Sequence, residues 1–574
     1  MINPVSAGSV SYDANVGSLR ARRLVVFLHH DADGICDQSV LRVLQSLRSY
    51  ASRFVVVANG GLKASARMQL EKIIDEVIER PNIGFDVGAY TEALRSVGWS
   101  HLAEFDELLL VNNTFFGPVS SFDPLFERMS HDNVDFWGMT NHPAVSPNPF
   151  TGRGVMPEHL QSYWLLIRKT ILRDPSFERY WQSLPMPQSY NDVVVNFESQ
   201  FTQYFSERGF TWAAAYRAED YGVLNPSMEA PLALLKDGCP IFKKRLYFHD
   251  VPALTMQGVS TAEVTRMAVQ RGFPLETIIE GVRRRATSRE MTIALDATYI
   301  VPAVRPVEHG EAGGDSRLEI IEQRPWRDLA RRQDAKTADI TGSGRAAAIV
   351  VDPEELRTET RSDGNLLRYK HAHDALLGDD YSVIGIFGAH TRLAALFPYP
   401  QTMETPVSGR AWFARVQVAE KVAKSLGIVG PFSYSSIVAP YRGMAAYSGE
   451  FLRKVADRIF AAGGWERLSA IAGGDKALER ILDCVAGDIA REEGMYVGIV
   501  ATQDELRSSW NVMQDVYSRK PIVYPDYVDY PYSGRVVAPT IKNRVGQAIK
   551  SVSPRSFDRL YRLQLRIRQT MKGL

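Results

Sequence analysis

Side chains able to do chemistry gather in a few short stretches of this sequence. "HHDADG", residues 29 to 34, sets two histidines and two aspartates at the end of an apolar run. That composition could ligate a metal, but it better suits a turn held by Asp31 and Asp33 ahead of a helix starting near Asp37, because Asp and Gly are what such turns demand. "NIGFDVGAY", residues 82 to 90, flanks Asp86 with two glycines just before a helical stretch. Backbone could there approach a ligand closely, or Asn82 and Asp86 could simply cap the helix. "FDELLLVNNTFFGP", residues 105 to 118, ends an apolar run on Asn112, Asn113 and Thr114, where a carboxylate pair would hold a divalent cation. An amide oxygen is only a weak ligand for a hard cation. GxSxG, Walker A, HExxH and GxGxxG patterns are absent from the sequence, which weighs against hydrolase, ATPase and dinucleotide oxidoreductase chemistry.

Short apolar runs and amphipathic stretches must position these loops. "RRLVVFLHH" reads as a strand, "DQSVLRVLQSLRSYA" as a helix, "RFVVVANGG" as a strand, "ASARMQLEKIIDEVIE" as a helix and "ELLLVNNT" as a strand. This alternation predicts an α/β fold with a mostly parallel sheet and flanking helices. Ligands of open α/β sheets bind beyond the carboxyl ends of the strands, so "HHDADG", "ANGG" and "VNNT" form the expected site. "DVVVNFESQFTQYFSERGF" is expected to be helical beyond Asn196, with Phe197, Phe201, Tyr204 and Phe205 as a core stripe.

Five blocks in fixed order, "NIGFDVGAY", "VNNTFFGP", "FWGMT", "HLQSYW" and "PIFKKR", give the chain a family resemblance. It resembles the rhamnan synthesis protein F family, bacterial proteins of rhamnose-containing polysaccharide assembly placed with the GT-A glycosyltransferases. The likeness spans roughly residues 22 to 255 and continues more weakly to about 500. What it implies is a GT-A-like α/β domain followed by a second mixed α/β domain. The expected boundaries are an N-terminal tail 1–21, the transferase domain 22–290, a polar linker 291–365, the second domain 366–530 and a basic C-terminal segment 531–574.

The resemblance also implies roles. His30, Asp31, Asp33, Asn59 and Asp86 would border the nucleotide, and Asn112, Asn113 and Thr114 the diphosphate and sugar. Lys243 and Lys244, with Arg245 beside them, would supply fixed cations for the leaving nucleoside diphosphate. Transfer from a β-linked rhamnose nucleotide to an α-linked product inverts the anomeric centre and needs a carboxylate base. Glu198 is the first choice and Asp192 the second, although a first-turn glutamate also suits the helix dipole. His159, Gln161 and Tyr163 would contact the acceptor sugar or serve as satisfied core polar groups. Where the family often has Asn-Asp-Ser, this chain has Asn112, Asn113 and Thr114, so Asn113 is a weak metal candidate, with Mg²⁺ or Mn²⁺ the cation in question and no cofactor certain. In the second domain Glu450, Asp475 and Glu479 are the carboxylates a second transferase would draw on, and an accessory or acceptor-guiding role is favoured instead.

The implied donor is dTDP-rhamnose or GDP-rhamnose and the implied acceptor a lipid-linked glycan. The alternative is a non-catalytic glycan-binding or scaffolding protein of the same pathway. With 67 Lys+Arg against 66 Asp+Glu in 574 residues, no chain-wide pull toward nucleic acid is expected. Cys36, Cys239 and Cys484 are widely spaced and odd in number, which suits a reducing cytoplasm. No run of about 18 apolar residues occurs. From Lys542 to Leu574 nine Lys/Arg accompany one acid, Asp558, and Leu560, Leu563, Ile567 and Met571 recur at helical spacing. Such a helix could lie on the inner face of an anionic membrane or dock on the protein's own core.

Overall fold

The computed structural model describes residues 21–249, 251–301, 318–321, 325–331, 347–350, 363–377, 380–399, 416–432, 438–440 and 443–507. The basic segment 531–574 lies outside the described residues.

The described residues divide into two units, one made of 21–143 and the described residues between 159 and 507, the other containing 144–158. Of the second, the described part is a loop in which Val145 bridges to Met156 and the Asn148 side chain accepts from the Phe150 amide at 2.9 Å. The first unit holds two sheets.

The first sheet is built as its apolar runs require. Strands β1 (Arg23–His30), β2 (Arg53–Asn59), β3 (Glu76–Arg80) and β4 (Glu107–Asn112) are mutually parallel in the order 3-2-1-4. Helices α1 (Gln38–Arg48), α2 (Ala64–Glu71) and α3 (Phe85–Val97) cross between them. Beyond β4 come β8 (Trp164–Arg168), antiparallel to it, then β6 (Phe136–His142), which pairs with β9 (Trp212–Tyr216) and β7 (His159–Leu160). Val25, Phe27, Val56, Leu109 and Val111 point to one buried face, Leu24, Val26, Val55, Leu108 and Leu110 to the other. Burial on both faces explains the unbroken apolar runs. A short ribbon pairs β5 (Phe115–Phe116) with β10 (Phe242–Lys243).

Two expectations are corrected. The stretch read as one helix through "DEVIE" stops at Glu71, and β3 follows as an edge strand. Its alternating charges are spent on Arg53–Glu76 and Arg67–Glu79 ion pairs along that edge, a polar dressing that hides a strand from hydropathy. The segment expected as linker, 291–365, contains β11 (Thr298–Val301), β12 (Leu318–Ile321) and β13 (Ala347–Val350). With β14 (Leu393–Pro398), β15 (Ala445–Ser448) and β16 (Tyr496–Thr502) they form a mixed six-stranded sheet in the order 11-16-14-15-13-12. Strands of four residues carry too little pattern to stand out among polar neighbours. Among the described residues no helix is long and apolar enough to cross a membrane.

Candidate functional site

The chain runs from β1 outward to β3, then returns to place β4 on the other side of β1. Their carboxyl ends therefore part at a topological switch point, where the ends of neighbouring strands leave a crevice. His30, Asn59 and Asn112 end the three central strands side by side, His30 in register with Asn59 and Leu28 with Asn112.

On the β4 side a directed chain of hydrogen bonds runs past the ends of these strands. Lys243 Nζ donates to Thr114 Oγ1 at 3.0 Å, and Thr114 Oγ1 donates to Asn112 Oδ1 at 2.6 Å. Asn112 Nδ2 then donates to Asp86 Oδ2 at 2.9 Å. Asp86 is thus no helix cap: the N-cap of α3 is Gly84, in the left-handed region at φ 75°, and the carboxylate two residues on, within the first turn, bonds Asn112 at the end of β4. Burial raises the Asp86 pKa, and the Asn112 bond pulls the other way. Lys243 lies with its ammonium 3.4 Å from the centre of the Tyr163 ring. Burial draws its pKa down to about 7, against the attraction of Glu198 and Asp86.

Glu198 approaches from another element. The helix from Tyr190 widens to a π turn over Val194–Glu198 before resuming as α at Ser199. Such turns re-aim side chains and recur at functional sites. Glu198 Oε2 accepts from the Ser162 amide at 2.9 Å and from its hydroxyl at 2.5 Å. Oε1 lies 4.0 Å from His159 Nε2. His159 is buried and stacked on His142, with ring centres 5.4 Å apart. Asp192 sits elsewhere, as the third residue of a capping box, accepting from the Gln188 and Ser189 amides at 3.0 Å each.

The β1 side is fastened rather than open. Asn113 Nδ2 donates to the His30 carbonyl at 2.9 Å and lies 3.2 Å from His29 Nδ1. His29 Nε2 is 3.0 Å from the Ile35 carbonyl. A neutral ring that donates from Nε2 and accepts at Nδ1 satisfies both contacts. Burial accordingly holds the His29 pKa at about 4. Asp31 Oδ1 accepts from the Asp33 and Ile35 amides, as the turn reading expects. Arg284 grips both acids, donating to Asp31 Oδ2 at 2.5 Å and to Asp33 Oδ2 at 2.7 Å. Burial would raise the Asp31 pKa, but these bonds hold it at about 2. His30 Nδ1 donates to the Asn59 carbonyl at 2.7 Å. The Asn59 amide is itself engaged with Asn82, Phe85 and Arg80.

Lys244 points away from Lys243. It is 6% exposed, and its backbone amide donates to the Thr114 carbonyl at 3.0 Å. Burial lowers its pKa, and Asp37, the N-cap of α1, counters that as its strongest opposing charge. Gln161 and Tyr163 belong to a buried hydroxyl network, each within 2.7 Å of Thr140 Oγ1, with Ser227 3.4 Å from Gln161 Oε1. Sequence reasoning missed Ser162 and Arg284. For Arg284 the local signal is the run Arg283 to Arg285; for Ser162 there is none beyond its place inside "HLQSYW".

The loop does not suit a divalent cation. Around Asn112, Asn113 and Thr114, Asp86 brings one carboxylate, Asn112 Oδ1 is taken by the Thr114 hydroxyl, and an ammonium is bonded to Thr114 Oγ1. A hard dication wants several oxygen donors, carboxylates first, and is repelled by an adjacent ammonium. Among the described residues, no group of three or more His, Cys, Asp or Glu is arranged to hold a metal ion.

Residues 54–312 match the model of the family described as Rhamnan synthesis protein F. An uncharacterized protein, y4gN of Sinorhizobium fredii, is 25% identical over 199 residues, 34% of this chain and 49% of that protein. Virulence protein VirA of Vibrio anguillarum is 27% identical over 194 residues, 32% of this chain and 51% of that one. The chain thus spans about half the length of the curated relatives it matches. Among solved structures, the mannosyltransferase Ktr4p of S. cerevisiae in complex with GDP is 9% identical, with a TM-score of 0.22 over 36% of this chain and 74% of that one. Mouse xyloside xylosyltransferase 1 in its apo form is 12% identical, with a TM-score of 0.21 over 33% and 83%.

Proposed function

We propose, on the premise that residues 54–312 match the rhamnan synthesis protein F family, that this chain is a glycosyltransferase. It moves a sugar, with rhamnose the leading candidate, from a nucleotide donor to a growing bacterial surface polysaccharide. The observation that carries this reading is the meeting of Asp86, Asn112, Thr114, Lys243 and Glu198, from four separate segments, beside the switch point between β1 and β4.

In this reading Asp86 accepts hydrogen bonds from the base or ribose of the donor, and Lys243 faces the diphosphate. Glu198 Oε1 takes the proton of the acceptor hydroxyl as its oxygen attacks the anomeric carbon from the face opposite the leaving group. The bond to the diphosphate breaks with inversion, and the departing negative charge meets the Lys243 ammonium. Ser162 holds Glu198 Oε2, so Oε1 remains the oxygen directed to catalysis. Gln161 and Tyr163 act on the acceptor only indirectly, by fixing the wall under Lys243, because Gln161 Oε1 and the Tyr163 hydroxyl are engaged by Thr140. The acceptor is read as a lipid-linked glycan and the donor as dTDP- or GDP-rhamnose, handled at the cytoplasmic side of a membrane.

Transfer assays with a panel of nucleotide sugars test this. Turnover with a rhamnose nucleotide is expected, and Glu198→Gln should lower it about 10²–10⁴-fold, the usual worth of a general base. Turnover with a different sugar nucleotide would replace rhamnose and keep the transferase. Donor binding without turnover on any acceptor would favour a non-catalytic, glycan-binding protein.

A further inference from the structure

Lys243 stands where a nucleotide-sugar site needs positive charge, and the structure shows what aims it. Its Nζ is bonded to Thr114 Oγ1, whose proton goes to Asn112 Oδ1, whose amide goes to Asp86. Every donor in that chain points the same way, from the ammonium toward the carboxylate. One of the three ammonium protons is so committed, and the Tyr163 ring lies 3.4 Å from Nζ. The charged groups that face it are Glu198 from the π turn, Asp86 from α3 and Arg245 from its own segment.

We infer that Lys243 holds the donor's diphosphate in place of a divalent cation, with the Thr114–Asn112–Asp86 chain orienting its ammonium. This rests on the donor-site reading above. Asn113 explains why the carboxylate of a cation-binding loop is missing. Its Nδ2 donates to the His30 carbonyl and faces His29 Nδ1, tying the end of β4 to the end of β1. A carboxylate there would set oxygen against the carbonyl oxygen and lose the donor, leaving buried acceptors unpaired. The amide at 113 is therefore a fastener between two loops, and the cationic task falls to Lys243. A diphosphate arriving beside an ammonium with a pKa drawn down to about 7 favours its charged form, so binding near neutral pH takes up protons.

Calorimetric titration of the full chain with GDP, UDP and dTDP, in EDTA and in MnCl₂, tests this. Binding of one of these in EDTA, changed less than threefold by Mn²⁺, is expected. Heats in buffers of different ionisation enthalpy should show a fraction of a proton taken up at pH 7 to 8, and none at pH 5.5. Lys243→Met should weaken binding at least tenfold and abolish the uptake. Binding that needs Mn²⁺, or an unaltered affinity in folded Lys243→Met, overturns the inference while leaving the donor site standing. No binding of any nucleoside diphosphate under either condition overturns the donor-site reading itself. Should the variant fail to fold, the wild-type EDTA and proton-uptake arms decide alone.

Discussion

His29 is neutral in the fold for a reason that can be measured. Its ring accepts from Asn113 and donates to Ile35 while buried at 2% exposure, so protonation would cost both the acceptor site and the desolvation of a charge. Its pKa is depressed from 6.5 to about 4, so the stability it contributes is fully present above pH 6.5 and is lost as pH falls toward 4. At 1.36 kcal/mol per unit, this group alone makes the loss over that window about 3 kcal/mol. Urea midpoints at pH 7, 6, 5 and 4.5 should fall along that course. His29→Gln, which keeps a donor and an acceptor but does not titrate, should flatten it. An equal slope in the variant would assign the acid sensitivity elsewhere.

At the scale of elements, α3 shows why two glycines surround Asp86. Gly84 takes φ 75°, and a Cβ on Gly88 would stand 2.3 Å from the Ile83 carbonyl and 2.7 Å from the Arg80 guanidinium. The closeness serves Arg80, which bonds Asn59 and Ile83 and so ties the ends of β2 and β3 to the start of the helix. Gly88→Ala should cost about 1–3 kcal/mol, as overpacking does, and weaken the nucleotide binding proposed above, because Asp86 sits in the same turn. Thermal melting with and without GDP checks both. Native-like melting with full GDP stabilisation would show that the turn tolerates the methyl. The glycines, the loops and strands β1, β2 and β4 were legible because a buried parallel strand is an apolar run that ends abruptly in polar residues. β3 was not, since an edge strand with charges on it looks like a helix flank. Ser162 and Arg284 were not either: Arg284 reaches Asp31 across 253 positions, a pairing that only tertiary packing creates.

At the scale of the molecule, the boundary expected near residue 290 falls inside a packed layer. The helix Leu275–Val282 packs on α1 of the first sheet's domain, while the helix Ser288–Ala294 packs on β16 of the second sheet. Thr292 donates to the Val497 carbonyl at 2.8 Å, Arg283 to the Glu492 carbonyl at 2.9 Å, and Ser288 presses against Gly487. Met291 and Ala294 are fully buried there. A fragment of residues 21–295 keeps every residue of the candidate site but strips that cover. It loses the Thr292 and Arg283 hydrogen bonds, worth about 1 kcal/mol each, and bares the apolar face of its last helix. Its denaturation midpoint should fall below that of the full chain by the equivalent of about 2 kcal/mol or more, with more self-association than the full chain shows at the same concentration. Urea unfolding followed by tryptophan fluorescence, alongside sedimentation, measures both. A fragment as stable as the full chain, with the same sedimentation behaviour, would mean that the first sheet's domain folds independently, and that the second sheet contributes nothing to holding the candidate site in shape.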